Sequence, residues 1–315
     1  MNPRDGLSIT RRQAVRATGL AALTSLTGCL SGLHSQSESE TTEYSFDVES
    51  ISTSPVEHSL YQPEDGNLFG DPAREALGNI LPEGRHTTYG YTPLPDDAYV
   101  ETEEGYYQVK NTITGRRKTE RTVVEAVRVS EENIPRDAVE LDDLERPVAR
   151  VLKILHTNHV TNGEGGASDL LHGDVYVLRR PAETDSRLGT RELDGEVVRM
   201  EETGPWAYRI DVTDENITET EYSTLTVKVA DSRDEFRDVV FESRVDAEIY
   251  PGDLQDEESD LLEKAITDGT YTEETPLTEA FESLLDRLGL DDTSENGHLW
   301  YDTEYYSYTL YVDEA

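Results

Sequence analysis

The chain has 315 residues, of which 67 are acidic and 28 are basic, so its formal net charge at pH 7 is -39. This composition disfavours nucleic acid as a ligand, because it offers no basic stripe that could neutralise phosphates. The single cysteine, Cys29, excludes a disulfide within one molecule.

The excess of acidic residues indicates the solvent in which the chain folds. Like charges at this density repel each other and destabilise a compact state at ordinary ionic strength. In molar salt the Debye length falls to roughly 3 Å, so the repulsion is largely screened. Lysine supplies only 5 of the basic residues, and the whole composition resembles that of proteins from extremely halophilic archaea. Intrinsic disorder and docking of basic partners are the alternatives to a solvated acidic surface. Disorder fits poorly beyond residue 56, where Tyr, Val, Leu and Ile recur periodically.

The N-terminal 28 residues have the layout of a signal peptide. Arg11 and Arg12 precede a mild apolar stretch over residues 17–26, which is shorter than the roughly 20 apolar residues that span a bilayer. The arginine pair resembles the twin-arginine export signal, which a receptor of the export machinery recognises. That route carries folded cargo, which suits a chain that folds in concentrated cytoplasmic salt.

The signal ends in Leu26-Thr27-Gly28-Cys29, which resembles a lipoprotein lipobox. With the arginine pair, the segment is similar to the signals of haloarchaeal twin-arginine-exported lipoproteins. This resemblance covers residues 10–29 alone. It implies cleavage before Cys29, a lipid on the cysteine sulfur, and anchoring on the outer face of the cytoplasmic membrane. The alternative is a chance cysteine after an uncleaved anchor helix. The chain after residue 28 holds 24 basic and 66 acidic residues, a formal charge of -42.

Composition divides the mature chain into a tether and a domain. Residues 29–56 are rich in Ser, Thr and Glu, so we expect a flexible spacer between the lipid and the folded part. Residues 57–315 are predicted to form one acidic α+β domain. Helical periodicity and capping residues predict helices at residues 71–81, 142–156, 256–267 and 276–288. Alternating apolar residues predict strands at residues 106–113, 122–129, 175–179, 206–212, 225–229, 239–249 and 305–312.

Two Val-rich segments resemble each other at a fixed spacing. Residues 121–129 match residues 237–245 at an offset of 116. The match suggests two or three diverged units, each a helix followed by antiparallel strands. Chance similarity between Val-rich strands is the alternative. The predicted fold class is therefore α+β with antiparallel strands and helices, with internal repetition as an added hypothesis.

A histidine-rich loop is the strongest candidate for chemistry. His156, His159 and His172 fall within seventeen residues, with Glu164 and Asp169 between them. Imidazole and carboxylate together suit zinc or another divalent metal, so these five residues form a hypothetical metal site. The alternative is a solvated Gly-rich loop, since histidine near a helix C-terminus is favoured by the helix dipole alone.

Other motifs give little support for catalysis. The sequence has neither a Gly-x-Ser-x-Gly elbow nor a phosphate-binding glycine loop followed by lysine. Asn216 begins the one N-glycosylation sequon, Asn216-Ile217-Thr218. The sequence thus favours a non-enzymatic surface lipoprotein with a binding or envelope-structural role. A metal-dependent enzyme or metal-binding protein that uses the histidine loop is the first alternative, and a solute-binding lipoprotein of an importer is the second.

Overall fold

The computed structural model describes residues 41–82, 84–164, 170–200, 206–290, 293 and 295–314. The predicted signal residues Arg11 and Arg12, the predicted lipid attachment site Cys29, and Asp169 of the histidine loop lie outside these residues. None of the helices in the described ranges is long and apolar enough to cross a membrane.

The described residues form seven α-helices and 13 β-strands, which confirms the α+β class with mostly antiparallel strands. The helices are α1 Pro55–Ser59, α2 Gly70–Ile80, α3 Arg146–Val160, α4 Pro181–Thr184, α5 Arg233–Arg244, α6 Asp256–Asp268 and α7 Glu279–Leu288. The strands are β1 Thr42–Ile51, β2 His86–Tyr89, β3 Tyr99–Thr102, β4 Gly105–Arg128, β5 Val139–Glu140, β6 Leu171–His172, β7 Val175–Val177, β8 Val197–Met200, β9 Trp206–Ala230, β10 Ala247–Ile249, β11 Thr270–Glu274, β12 Glu295–Tyr301 and β13 Glu304–Glu314.

Where the sequence predicts one domain, the chain divides into two compact units. Unit 1 takes the chain up to Leu60 and resumes at Val229, and unit 2 spans Tyr61–Lys228. The second unit is therefore inserted, in sequence, between the strand β1 and the helices and strands with which β1 packs.

Unit 1 is a five-stranded sheet in the order β10-β12-β13-β1-β11, in which only the β10–β12 pair is parallel. Phe46 of β1 lies opposite Leu310 of β13 and Tyr271 of β11. These strands bury their apolar face together with α6 and α7, which contribute Leu262 and Phe281 to one core.

The tether prediction is wrong from residue 42 onward. Residues 42–51 form the strand β1 between β13 and β11, and Tyr44, Phe46 and Val48 are buried. These three residues alternate at the period of a half-buried strand. The polar residues that alternate with them, Glu43, Ser45, Asp47 and Glu49, occupy the other face, so the average composition of the segment hides the strand.

The strand predicted over residues 239–249 is also wrong in its first half. The helix α5 occupies Arg233–Arg244, and only residues 247–249 form a strand. The Ser232 hydroxyl accepts a hydrogen bond from the Glu235 amide and so caps the helix, while Phe236 and Val240 are buried one turn apart. Residues 121–128 belong to β4, so the two segments of the predicted repeat differ in secondary structure.

Unit 2 contains an eight-stranded sheet with the path β5-β8-β9-β4-β7-β6, to which β2 and β3 add by pairing with β9 and β4. Side-chain hydrogen bonds join Thr224 to Asn111 and Asp214 to Thr122, so the neighbours β4 and β9 run antiparallel. Each of these strands joins two predicted strands. The sequence separates them because the intervening residues are mostly polar, so no regular alternation is visible in them.

The four predicted helices match α2, α3, α6 and α7 to within a few residues. The helix α3 begins at Arg146 instead of residue 142, because residues 141–143 form a 3-10 turn and Pro147 occupies the first turn. The helix α7 begins at Glu279 because the Thr278 hydroxyl accepts a hydrogen bond from the amide of Phe281. This helix buries Phe281, Leu284, Leu285 and Leu288, which share one face at helical spacing.

Candidate functional site

Among the described residues, the predicted metal ligands do not come together as a group that could hold a metal. His156 is buried on α3, where its Nδ1 lies 2.8 Å from the hydroxyl of Tyr208. His159 stands edge-on to Trp206 and Tyr208, as His156 does. His172 is exposed on β6. In the described ranges, no group of three His, Cys, Asp or Glu side chains could hold a metal ion.

The two helical histidines belong instead to an aromatic packing cluster. Trp206 and Tyr208 stack with nearly parallel rings, and the guanidinium of Arg128 lies 4.0 Å from the Trp206 ring centre. Burial, with a smaller effect from neighbouring His159, holds the pKa of His156 below its usual value. A buried neutral histidine that bonds a tyrosine hydroxyl is part of a core. Glu164 is exposed beyond the end of α3, and Asp169 is not described.

Charge is distributed unevenly between the units. Of the 24 basic residues after Gly28, 19 lie within residues 61–228, together with 34 acidic residues. The other part of the mature chain, residues 29–60 and 229–315, holds 5 basic and 32 acidic residues. The formal charges are therefore -15 and -27, and the basic residues are concentrated in unit 2.

Three guanidinium groups of unit 2 converge on one aromatic ring. The guanidinium carbons of Arg146, Arg150 and Arg180 lie 5.5, 5.2 and 4.8 Å from the centre of the Phe69 ring. Arg146 and Arg150 are one turn apart on α3, so both point to the same side of that helix. Arg180 occupies the residue before α4, and Phe69 precedes α2. The ring is partly exposed.

Glu183 ties two of these arginines to the fold. Its buried carboxylate accepts hydrogen bonds from the amides of Arg179 and Arg180 at 2.9 and 3.0 Å and from the Tyr176 hydroxyl at 2.7 Å. The guanidinium groups of Arg150 and Arg180 lie 3.6 and 3.5 Å away. Burial, reinforced by the Glu183 charge, raises the pKa of Tyr176 to about 12. The hydroxyl therefore remains a donor at neutral pH.

Glu219 of β9 holds two further arginines in the same region. Its buried carboxylate accepts hydrogen bonds from Nε of Arg121 at 2.8 Å and Nε of Arg179 at 2.7 Å. The Val123–Val177 pairing of β4 with β7, extended by two residues, places Arg121 opposite Arg179. Strand register therefore explains why both arginines reach one carboxylate.

We call Arg121, Arg146, Arg150, Arg179 and Arg180 with the Phe69 ring the arginine cluster. Among the residues that the structure describes, three carboxylates pair with it, those of Glu183, Glu219 and the exposed Glu64, which lies 2.9 Å from Arg146. The five guanidinium groups thus exceed their paired carboxylates by two charges, although unit 2 as a whole is acidic. Arg146 is 60% exposed, so the cluster is open to solvent on its α3 side. Guanidinium groups in this arrangement can bind carboxylate, phosphate or sulfate oxygens.

A basic run on β4 adjoins the cluster. Arg116, Arg117 and Lys118 are exposed, and the guanidinium of Arg117 lies 5.4 Å from the ring centre of Tyr89. Arg121 also donates to the Tyr89 carbonyl, at 3.5 Å. Within the part of the chain that the structure describes, neither Arg116 nor Lys118 forms an ion pair.

Sequence reasoning missed both features. The run Arg116-Arg117-Lys118, with Arg121 three residues on, places four basic residues within six, and a local charge window would have found it. The cluster carries no such signal, because its members come from β4, α3 and the residues before α4.

The predicted glycosylation residue, Asn216, is exposed on β9 beside buried Ile217. Its amide is therefore accessible. Comparisons of the chain with protein-family models, with curated proteins and with solved structures found no match.

Proposed function

We propose that this chain is a lipid-anchored surface protein of a halophile that binds an acidic partner through the arginine cluster. In this proposal Arg11 and Arg12 direct export by the twin-arginine machinery, and Cys29 carries the lipid on the outer face of the cytoplasmic membrane. The signal-like residues 10–29 support the location, and the cluster supports binding over catalysis.

The convergence of Arg146, Arg150 and Arg180 on Phe69 is the observation that carries the binding role. Each guanidinium has a planar set of donors that matches a carboxylate in a bidentate geometry. Stacking against the aromatic face orients the groups without using those donors. The two charges in excess of the paired carboxylates are the ones available to a ligand.

High salt favours recognition by direct guanidinium–carboxylate contacts over recognition by long-range charge. At molar salt, charges more than roughly 3 Å apart hardly interact, so long-range steering is lost. Direct hydrogen bonds between guanidinium and carboxylate persist, because they act at contact distance. A dense set of arginines can therefore bind acidic surfaces in brine. Positive charges spread over a wide surface would be screened and could not.

Binding of labelled poly-L-glutamate to the mature protein, followed by fluorescence anisotropy in about 2 M KCl, tests the proposal. Hydrogen bonds to charged groups contribute roughly 1.5–3 kcal/mol, so Arg146→Gln should weaken binding about tenfold. Arg146 is exposed, so the fold should tolerate the change.

Arg209→Gln is the matched control. Arg209 lies in the same unit and is similarly exposed, but it pairs with Asp211 on β9 and has no part in the cluster. Equal loss of binding in the two variants, or no binding by the unchanged protein, would refute the proposed role.

A further inference from the structure

Unit 1 contains a pocket that the proposed function does not use. It has a volume of about 200 Å³ and lies between the start of α1, the first three turns of α5 and the end of β12. Its lining residues are Ser54, Pro55, Val56, Arg233, Asp234, Arg237, Phe241 and Trp300. The volume is below the roughly 300–1,000 Å³ of sites for drug-sized ligands, so the occupant must be about the size of a single ring.

The apolar part of the pocket is aromatic. The rings of Phe241 and Trp300 meet edge to face, with centres 5.4 Å apart, and both residues are only partly buried. Pro55 and buried Val56 complete this wall. Partly exposed aromatic faces at the edge of a pocket give a planar apolar group a surface on which to stack.

Arg237 provides the polar part. Its guanidinium carbon lies 3.9 Å from the centre of the Phe241 ring, one turn further along α5. Arg233, one turn earlier, pairs with Glu57 at 3.1 Å. Among the described residues Arg237 has no such ion pair, although its part of the chain holds 32 acidic and 5 basic residues.

The combination defines the chemistry of the ligand. A guanidinium 3.9 Å from the centre of one ring, with no carboxylate paired to it among the described residues, suits a carboxylate of the ligand. The neighbouring aromatic wall suits a ring attached to that carboxylate. Asp234 also lines the pocket, and its charge disfavours a second negative group on the ligand.

We propose that this pocket binds a small aromatic monocarboxylate, with its ring against Trp300 and Phe241 and its carboxylate on Arg237. The site belongs to unit 1 and shares no residue with the arginine cluster. It therefore goes beyond the proposed function and can fail independently of it.

Tryptophan fluorescence tests the proposal, because the chain has two tryptophans. Trp206→Phe leaves Trp300 as the reporter in the full mature protein. We expect benzoate, added at constant KCl concentration, to change the Trp300 emission in a saturable way. Benzyl alcohol, a neutral ring of similar size, should bind about tenfold more weakly. Arg237→Gln in the same background should weaken benzoate binding about tenfold and remove the preference over benzyl alcohol.

Lys264→Gln is the control, since Lys264 also lies over an aromatic ring of unit 1, Tyr271, but outside the pocket. It should leave benzoate binding unchanged. Incorporation of 5-fluorotryptophan into the otherwise unchanged protein gives a second readout by fluorine NMR, in case Trp206→Phe impairs folding. No saturable change at Trp300 in either experiment would overturn the proposal, as would equal affinity for benzoate and benzyl alcohol.

Discussion

The Nε of Arg179 donates a 2.7 Å hydrogen bond to the buried carboxylate of Glu219, and this one carboxylate also accepts from Arg121. A buried acid that accepts hydrogen bonds from two guanidinium groups fixes the spacing of the cluster around it. Its loss leaves two largely buried guanidinium groups without this carboxylate, which costs more than the loss of an exposed pair.

Glu219→Gln should therefore destabilise the protein by about 3 kcal/mol. Urea unfolding at fixed molar salt, followed by circular dichroism, measures the change. Asp211→Asn, which removes the ion-pair partner of exposed Arg209, should cost much less. Similar losses of stability in the two variants would show that the Glu219 carboxylate does not stabilise the fold more than an exposed ion pair does.

Gly90 is the second point at which the cluster constrains the chain. Its φ is +76°, and an added Cβ would lie 2.4 Å from Nε of Arg179 and 2.5 Å from the Glu219 carboxylate. Gly90→Ala combines an unfavourable backbone conformation with a displaced ion pair, so we expect it to cost more than about 1 kcal/mol. Gly173→Ala is the control that measures the cost of the backbone conformation alone, because Gly173 has a φ of +64° and open space around it. Thermal unfolding of both variants should show the larger loss for Gly90→Ala.

The sequence predicted the elements whose periodicity is regular. Apolar residues at helical spacing, among them Phe281, Leu284 and Leu288, predicted α7. The alternating Tyr-rich segment near the C-terminus predicted β13. The strand β1 and the helix α5 were missed for local reasons. In β1 the polar face dominated the composition, and in α5 a run of Val239-Val240-Phe241 imitated a strand despite the Ser232 cap.

Less of the candidate site than of the fold could be predicted from the sequence. Arg121 and Arg179 are 58 residues apart and become neighbours only through the register of β4 with β7. The proximity of His156 and His159 was predicted correctly from helical spacing, whereas no local pattern indicates the aromatic rings that surround them. Whether they bind metal or pack depends on Trp206 and Tyr208, which approach them from β9.

The buried state of His156 predicts a dependence of stability on pH. Burial lowers the pKa of His156 in the folded protein below the value of about 6.5 expected when unfolded. The neutral form is favoured by folding, so this contribution is fully present above pH 6.5 and is lost as the pH falls below it. Between pH 7.5 and 5.5 the free energy of unfolding should fall more in the unchanged protein than in His156→Gln. Equal pH dependence in the two proteins would contradict this role of His156.

The charge distribution predicts that unit 1 requires more salt than unit 2. Residues 29–60 and 229–315 carry -27, whereas residues 61–228 carry -15, so self-repulsion on dilution is greater in unit 1. As KCl falls from about 3 M to 0.1 M, fluorescence of Trp300 should change at higher salt than that of Trp206. Trp206→Phe and Trp300→Phe separate the two signals. A native spectrum for both at 0.1 M would contradict adaptation to brine.

Attachment through Cys29 is the claim on which the proposed function most depends, because in the proposal it holds the arginine cluster at the outer face of the cytoplasmic membrane. The measurement is membrane fractionation of the unchanged protein and of Cys29→Ser, both expressed in a haloarchaeal host. A lipid-anchored protein should be found with the membranes, and Cys29→Ser should move into the medium, since the serine hydroxyl cannot carry the thioether lipid. If Cys29→Ser stays with the membranes in the same proportion as the unchanged protein, Cys29 is not the anchor.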